Sequence, residues 1–372
     1  MNAANPERPP VHHSAWRPAR AIDLELGPAI WDGSRITCDV AREGQARVIS
    51  IGLRERMIFE ELDGERDVRD VLESLHEQGM PITERSLLGT LNQMVVLGLV
   101  VRPFQIISRG IASADATAVR EPGGLPEIIA ATRDTSFQPW RSLRWLGSRV
   151  GLSVVAVSAA VSSAIVATAG PTVRASLNKM DADWSLLFIV LLALCWNMLI
   201  TLVHEGAHAA AFSRVSSRRP RIAVVRLGIL PLANTQLPGL NLLSKRRQAG
   251  VVLVGPLVSI ALAAIPATGV LAAPPATFLH GLSIACLLID VAMIGLSISF
   301  FPNTDGTRLV EVLGSVNQIQ RVAVGTLLRQ LELPTALPRS TRIVVRAYPI
   351  LLLGSLVAAL GASALAIRLA TT

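Results

Sequence analysis

Charge is scarce in this 372-residue chain: 17% of its residues are Asp, Glu, Lys or Arg, against roughly 25% in ordinary soluble domains. Aromatic residues are scarcer still at 4%, while hydrophobic residues make up 51% and the mean hydropathy is +0.48. These proportions argue against a purely water-soluble protein. Cysteines number three (Cys38, Cys195 and Cys286), with no CxxC spacing, and the last two lie in long apolar runs. Neither a disulfide framework nor a thiolate metal site is expected. The opening MNAANPERPPVHHSAWRPAR lacks the apolar core of a cleavable signal peptide, so the N-terminus is expected in the cytoplasm. The charge that is present leans basic, with 35 Lys and Arg against 27 Asp and Glu. No basic patch is interleaved with aromatics, so nucleic acid is not an expected partner.

Composition breaks near residue 146, with a polar part before it and an apolar part after it. In the polar part, Ile36 to Val40 and Ala46 to Ile51 are expected as short strands around the turn Arg42, Glu43, Gly44. Three runs with apolar steps of three and four follow: Leu53, Met57, Leu62; Val68, Val71, Leu72, Leu75; and Leu87, Leu88, Leu91, Met94, Val95. They predict three short helices, closed by a strand at Leu99 to Val101. The division expected is a polar tail over 1–30, a small winged-helix-like α+β domain over 31–105, a linker over 106–146 and a membrane domain over 147–372.

The membrane domain has five apolar stretches: Val150 to Ala169, Trp184 to Phe212, Ala249 to Ala273, Thr277 to Phe301 and Ala347 to Ile367. Each reaches the roughly 20 residues that a helix needs to cross a bilayer core. Eight Lys or Arg lie between the second and third stretches and six between the fourth and fifth, against two and none in the alternate loops. The positive-inside rule then places the N-terminus in the cytoplasm and the C-terminus outside. The fold class expected is mainly α, a polytopic helical protein of about five spans in a lipid bilayer. Arg221 to Leu243, interrupted by Pro231 and Pro238-Gly239, suits extended segments or a re-entrant hairpin. Thr307 to Leu331 has near-helical apolar spacing and reads as an amphipathic helix on the membrane or a helix packed on the bundle.

His204-Glu205-Gly206-Ala207-His208 is an HExxH motif near the inner end of the second stretch. At about 100° per residue the two histidines stand one turn apart on nearly one helix face, where they can bind one zinc ion. Glu205, beside that face, can take the proton of a water that attacks a peptide carbonyl. A catalytic zinc site normally has three protein ligands. Asp305, in Phe301-Pro302-Asn303-Thr304-Asp305-Gly306, is the candidate for the third, because the charge-derived topology brings it to the same membrane face. A turn-forming Asp-Gly at a helix end is the plainer account of that dipeptide. Asn197 lies seven residues before His204, where it can hold substrate or bond a neighbouring helix, and Asp290 sits mid-span and needs a partner, a cavity or a proton.

With these motifs the chain resembles the site-2 protease family of intramembrane zinc metalloproteases, which pair an HExxH on one core helix with an Asp-Gly at the end of another. Gly255-Pro256-Leu257-Val258-Ser259 is similar to that family's glycine-proline segment, and the match runs over roughly Trp184 to Gly306. The resemblance implies His204, His208 and Asp305 as zinc ligands and Glu205 as catalytic base. SISFFPNTDG departs from the family pattern, with Ser297 where Asn is commoner. The N-terminal pattern IGLRERMIFEELDGERDVRDVLESLHEQ, then a third helix and LGLVV, resembles PqqD-like peptide-recognition domains of modified-ribosomal-peptide pathways. Its seven acidic residues between Glu61 and Gln78 stand against two arginines, which opposes DNA binding. The joint implication is a zinc endopeptidase that removes the leader of a ribosomally made precursor peptide near the cytoplasmic face. A protease cutting a membrane-bound regulator such as an anti-sigma factor, and a non-catalytic immunity or transport-associated relative, are the alternatives.

Overall fold

A computed structural model describes residues 16–21, 23–42, 48–101, 139–177, 184–227, 230–275, 277–331, 333–334 and 337–371. The chain divides into two compact units, one of residues 1–29 and 35–123 and one of residues 30–34 and 124–372.

In the first unit, β3 (Ile36–Arg42) pairs antiparallel with β1 (Leu24–Leu26) and with β4 (Ile49–Gly52), in registers that set Glu25 opposite Ala41 and Cys38 opposite Ile51. Three helices follow: α1 (Leu53–Glu60), α2 (Val68–Glu77) and α3 (Glu84–Val96). The start of α2 is fixed by a reciprocal cap in which the Asp67 carboxylate accepts from Arg69 N and Asp70 N while Asp70 accepts from Asp67 N, satisfying donors that the first helical turn leaves open. Thr83 caps α3 in the simpler way, accepting from Ser86 N. The apolar faces read from the sequence meet in one core, where Val71, Leu75, Leu87, Leu91 and Met94 pack with Val40 and Ile58. Before α2, the Arg66 guanidinium bridges Glu61 and Asp63. Hydrogen bonds from Gln78, Ser74 and Arg66 hold the Glu61 carboxyl below its ordinary range, and backbone bonds from Arg66 and Glu65 do the same for Asp63.

Two expected boundaries are corrected. The tail expected over 1–30 contains structured chain, since Trp16 is buried in the first core and β1 pairs with β3. Residues Ile30–Ser34, expected at the edge of the first domain, belong to the second unit, where Trp31 N donates to Ser315 O and Asn317 N to Trp31 O. Of the linker expected over 106–146, residues 106–138 lie outside the described residues, and Pro139–Gly147 forms a 3-10 helix that packs on the helix Trp184–Val215. Residues 43–47, which include most of the expected turn and the start of the second strand, are likewise outside them.

Among the described residues the second unit is helical apart from one hairpin and the short β2 (Ile30–Trp31). Five helical stretches are long and apolar enough to cross a membrane: Arg149–Ser176 in α4 (Arg149–Leu177), Leu186–Val215 in α5 (Trp184–Val215), Lys245–Ala272, Phe278–Ile298 as α8, and Arg339–Gly361 in α11 (Arg339–Thr371). They coincide with the five apolar stretches, and the chain is therefore a membrane protein with a small N-terminal sheet region. The third stretch is two helices, α6 (Lys245–Leu262) and α7 (Ala264–Ala272), parted at Ala263. Ala207, Ala210 and Ala211 of α5 meet Val251, Val252 and Val254 of α6 in one buried cluster. Small side chains bring helix backbones close where lipid supplies no hydrophobic drive. On its other side α5 keeps Leu187, Phe188, Leu191 and Leu194 exposed, as a lipid-facing surface requires.

Between α5 and α6 the hairpin β5 (Arg221–Leu227) and β6 (Leu230–Gln236) pairs antiparallel with Ile222 opposite Thr235, in keeping with the extended reading of that loop. The single amphipathic helix expected over 307–331 is instead α9 (Asp305–Gly314) and α10 (Ile319–Leu327), with Ser315 and Gln318 in the left-handed region at φ 51° and 53°. Periodicity alone does not reveal such a break, because neither residue is the glycine that ordinarily marks it.

Candidate metal centre

The HExxH lies on α5 where that helix packs against α6, α8 and the hairpin. His204 and His208 are one turn apart, and their Nε2 atoms stand 3.1 Å from each other. Asp305, the first residue of α9, points its carboxylate between them, with Oδ2 3.0 Å from His204 Nε2 and Oδ1 3.4 Å from His208 Nε2. The three residues expected as ligands, about a hundred positions apart in sequence, thus meet at one point, and among the described residues they form the group suited to holding a metal ion.

The donor set can be tested against zinc. Nitrogen and oxygen ligands about 2.0–2.1 Å from a tetrahedral zinc lie about 3.3 Å from one another, close to the 3.0 to 3.4 Å spacings found here. The far side of each ring is already occupied. His208 Nδ1 is 2.7 Å from Val251 O, an acceptor only, so Nδ1 carries a proton and Nε2 is the ring nitrogen that faces the cluster. His204 Nδ1 is 2.9 Å from Ser259 Oγ. Two ring nitrogens and a carboxylate facing inward repel unless a proton or a cation lies among them. Burial alone pushes the Asp305 carboxyl up, yet its bonds to the two imidazoles hold it well below the usual carboxylate range, and a divalent cation is the natural substitute for those shared protons.

Local sequence accounts for the convergence. Gly255 of α6 faces the ring edges directly: a Cβ there would overlap His208 Nε2 and stand 2.8 Å from His204 Nε2. Pro256 has no N–H to offer the Val252 carbonyl, which opens the helix ladder at the same turn. Asp305 is held by its own loop. Asn303 adopts φ 62°, Thr304 Oγ1 donates to Ser299 O at 2.6 Å, and Thr304 caps α9 by accepting from Thr307 N. At Gly306 a Cβ would overlap Ile298 O and Ser299 O, so the glycine after Asp305 is required by the close approach of α9 to the end of α8. Ser297 donates to Asp305 Oδ2 at 2.6 Å.

Glu205 lies outside the ligand triangle, its Oε2 accepting from Thr235 N at 2.8 Å and its backbone carbonyl from Thr235 Oγ1 at 3.0 Å. The sequence alone does not single out Ser259, Gly255 or Thr235 as individual site residues. GPLVS flagged the segment holding the first two, whereas Thr235 acts partly through its main chain, which no motif records. The remaining polar candidates are elsewhere. Asp290 is buried on α8 and accepts from Trp196 Nε1 at 2.9 Å, its Oδ1 lacking a partner, and His280 bonds Ser176 at the far end of α8. Asn197 is half-buried on α5 outside the ligand group. Comparison of the chain with protein-family models, curated proteins and solved structures finds no match.

Proposed function

We infer that the chain is an intramembrane zinc endopeptidase that cleaves a ribosomally made precursor peptide near the cytoplasmic face of the plasma membrane, removing its leader. The observation that carries this reading is the meeting of His204, His208 and Asp305 with Glu205 beside them on a membrane-crossing helix. Ionisable groups at that depth are costly and call for a function. His204, His208 and Asp305 would hold the zinc, which when bound polarises a carbonyl and acidifies water. Val251 O and Ser259 orient the two rings, and Ser297 orients the Asp305 carboxylate, so the three groups face one another through one supporting bond each. Glu205 takes a proton from the attacking water on Oε1, the oxygen not engaged by Thr235, and passes it to the leaving amine nitrogen.

The first unit supplies recognition in this reading. A cavity lined by Ala41 and Arg42 at the end of β3, Ile49 at the start of the outer strand β4, and Val96, Leu97 and Gly98 at the end of α3 joins the sheet to a helix end. That is the form of site which takes an extended peptide as an added strand with side-chain pockets. The test is cleavage, by purified protein in liposomes, of short peptides encoded beside it. Cleavage is expected to stop with a zinc chelator and return with added zinc, whereas cleavage that survives chelation would overturn the reading.

A further inference from the structure

We propose that Thr235 is the positioning residue for Glu205, a role that rests on the peptidase reading above. In an antiparallel pair, residues alternate between exchanging hydrogen bonds and pointing their N–H and C=O away from the partner strand. Thr235 is opposite Ile222, and its N–H goes to Glu205 Oε2 at 2.8 Å instead of to β5. Thr235 is therefore at an outward-facing position of β6, and Ala233, two residues earlier, shares that edge. Pro231, the next outward position, has no N–H at all, which only an edge tolerates.

Two bonds from one residue reach the same partner. The amide grips the carboxylate, and the hydroxyl donates to the Glu205 carbonyl at 3.0 Å, so the strand is registered on the helix at the catalytic position. A glutamate side chain has three torsions and on a bare helix face samples several rotamers. A charge-assisted bond from a main-chain amide removes that freedom and commits Oε2, leaving Oε1 as the proton acceptor. Thr235 thereby sets the orientation of the base through bonds to Glu205 itself.

Only proline at 235 deletes the amide donor. Thr235→Pro is expected to lower kcat on the order of 10- to 100-fold, the usual effect of losing a group that orients a catalytic one, with KM and zinc content unchanged. Thr235→Val keeps the amide and loses the hydroxyl, and should cost about 2- to 10-fold, as for one neutral hydrogen bond. Ala233→Pro places the same ring on the same edge away from Glu205 and should stay near wild-type kcat. Equal losses in Ala233→Pro and Thr235→Pro would mean that hairpin integrity alone matters, and wild-type kcat in Thr235→Pro would also overturn the proposal. An activity-free readout separates this from the peptidase reading. With the protein labelled with nitrogen-15 in micelles, the Thr235 amide should exchange at least about tenfold faster in Glu205→Ala than in wild type. Unchanged exchange would remove the contact even if the protein cleaves peptides. Absence of cleavage by wild type with normal amide protection would sink the peptidase reading and with it the positioning role in catalysis, leaving only the contact.

Discussion

Substituting Gly255 by alanine separates the metal centre from the stability of the fold, because the two respond with opposite sign. A Cβ at this position would overlap His208 Nε2 and stand 2.8 Å from His204 Nε2, whereas unstrained carbon contacts lie at about 3.5 Å or more. Without metal each ring is held from behind by one hydrogen bond, to Val251 O or to Ser259, and can turn aside from the added methyl; a metal bound to both rings removes that escape. Overpacking of a tight site costs about 1–3 kcal/mol. Charged to the metal-bound geometry, that is roughly 5- to 150-fold in zinc affinity. The helix itself should gain, because alanine in a helix interior is favoured over glycine by about 0.8–1 kcal/mol. Zinc affinity measured by chelator competition should therefore fall in Gly255→Ala while the thermal midpoint of the metal-free protein holds or rises. Wild-type zinc affinity would show that Gly255 does not face the ligand atoms. A matching fall in metal-free stability would assign the effect to helix packing.

Asp305→Ala removes a ligand and should lower zinc affinity by well over the 10- to 100-fold typical of losing a group that merely supports one; metal analysis of the purified variant checks this, and unchanged content would exclude Asp305 as a ligand. Val96→Asp puts a charge beside the cavity at the end of α3. It should raise KM for a full-length precursor about 10-fold or more, as for the loss of an interface anchor, and leave KM for a short peptide spanning the cut site unchanged. Equal effects on the two substrates would remove the leader-binding role. Deleting residues 1–105 is a poorer test, because it also removes Trp31, which is buried and bonded through its backbone to Ser315 and Asn317 in the second unit.

Features governed by local periodicity or by strict spacing were legible. The five apolar stretches coincide with five helical stretches long enough to span a bilayer, and the HExxH spacing put both imidazoles on one face. Asp305 was reached by requiring a third ligand and by loop charge, and its side chain does meet the two histidines. What escaped depends on non-local backbone. The break between α9 and α10 sits on non-glycine left-handed residues and Ile30–Ser34 joins the second unit by main-chain bonds to residues nearly 300 positions away, whereas the division of the third span at Ala263 has a local cause in Pro266, which cannot donate to the Leu262 carbonyl. Ser259 and Gly255 became meaningful only once α6 was seen against the two rings. Asp290 needed a partner, and Trp196, an indole on α5, is not a residue that spacing on α8 points to.

Glu205→Gln tests most directly whether this site hydrolyses peptides. The amide keeps an acceptor for Thr235 N and leaves all three metal-facing residues intact, but it cannot take the proton of the attacking water. Purified in parallel with wild type and given a precursor peptide in liposomes, the variant should hold the same zinc per chain and cleave on the order of 100- to 10,000-fold more slowly, the range expected for loss of a general base. Cleavage near the wild-type rate with zinc still bound would contradict the assignment of Glu205 and, with it, the peptidase mechanism.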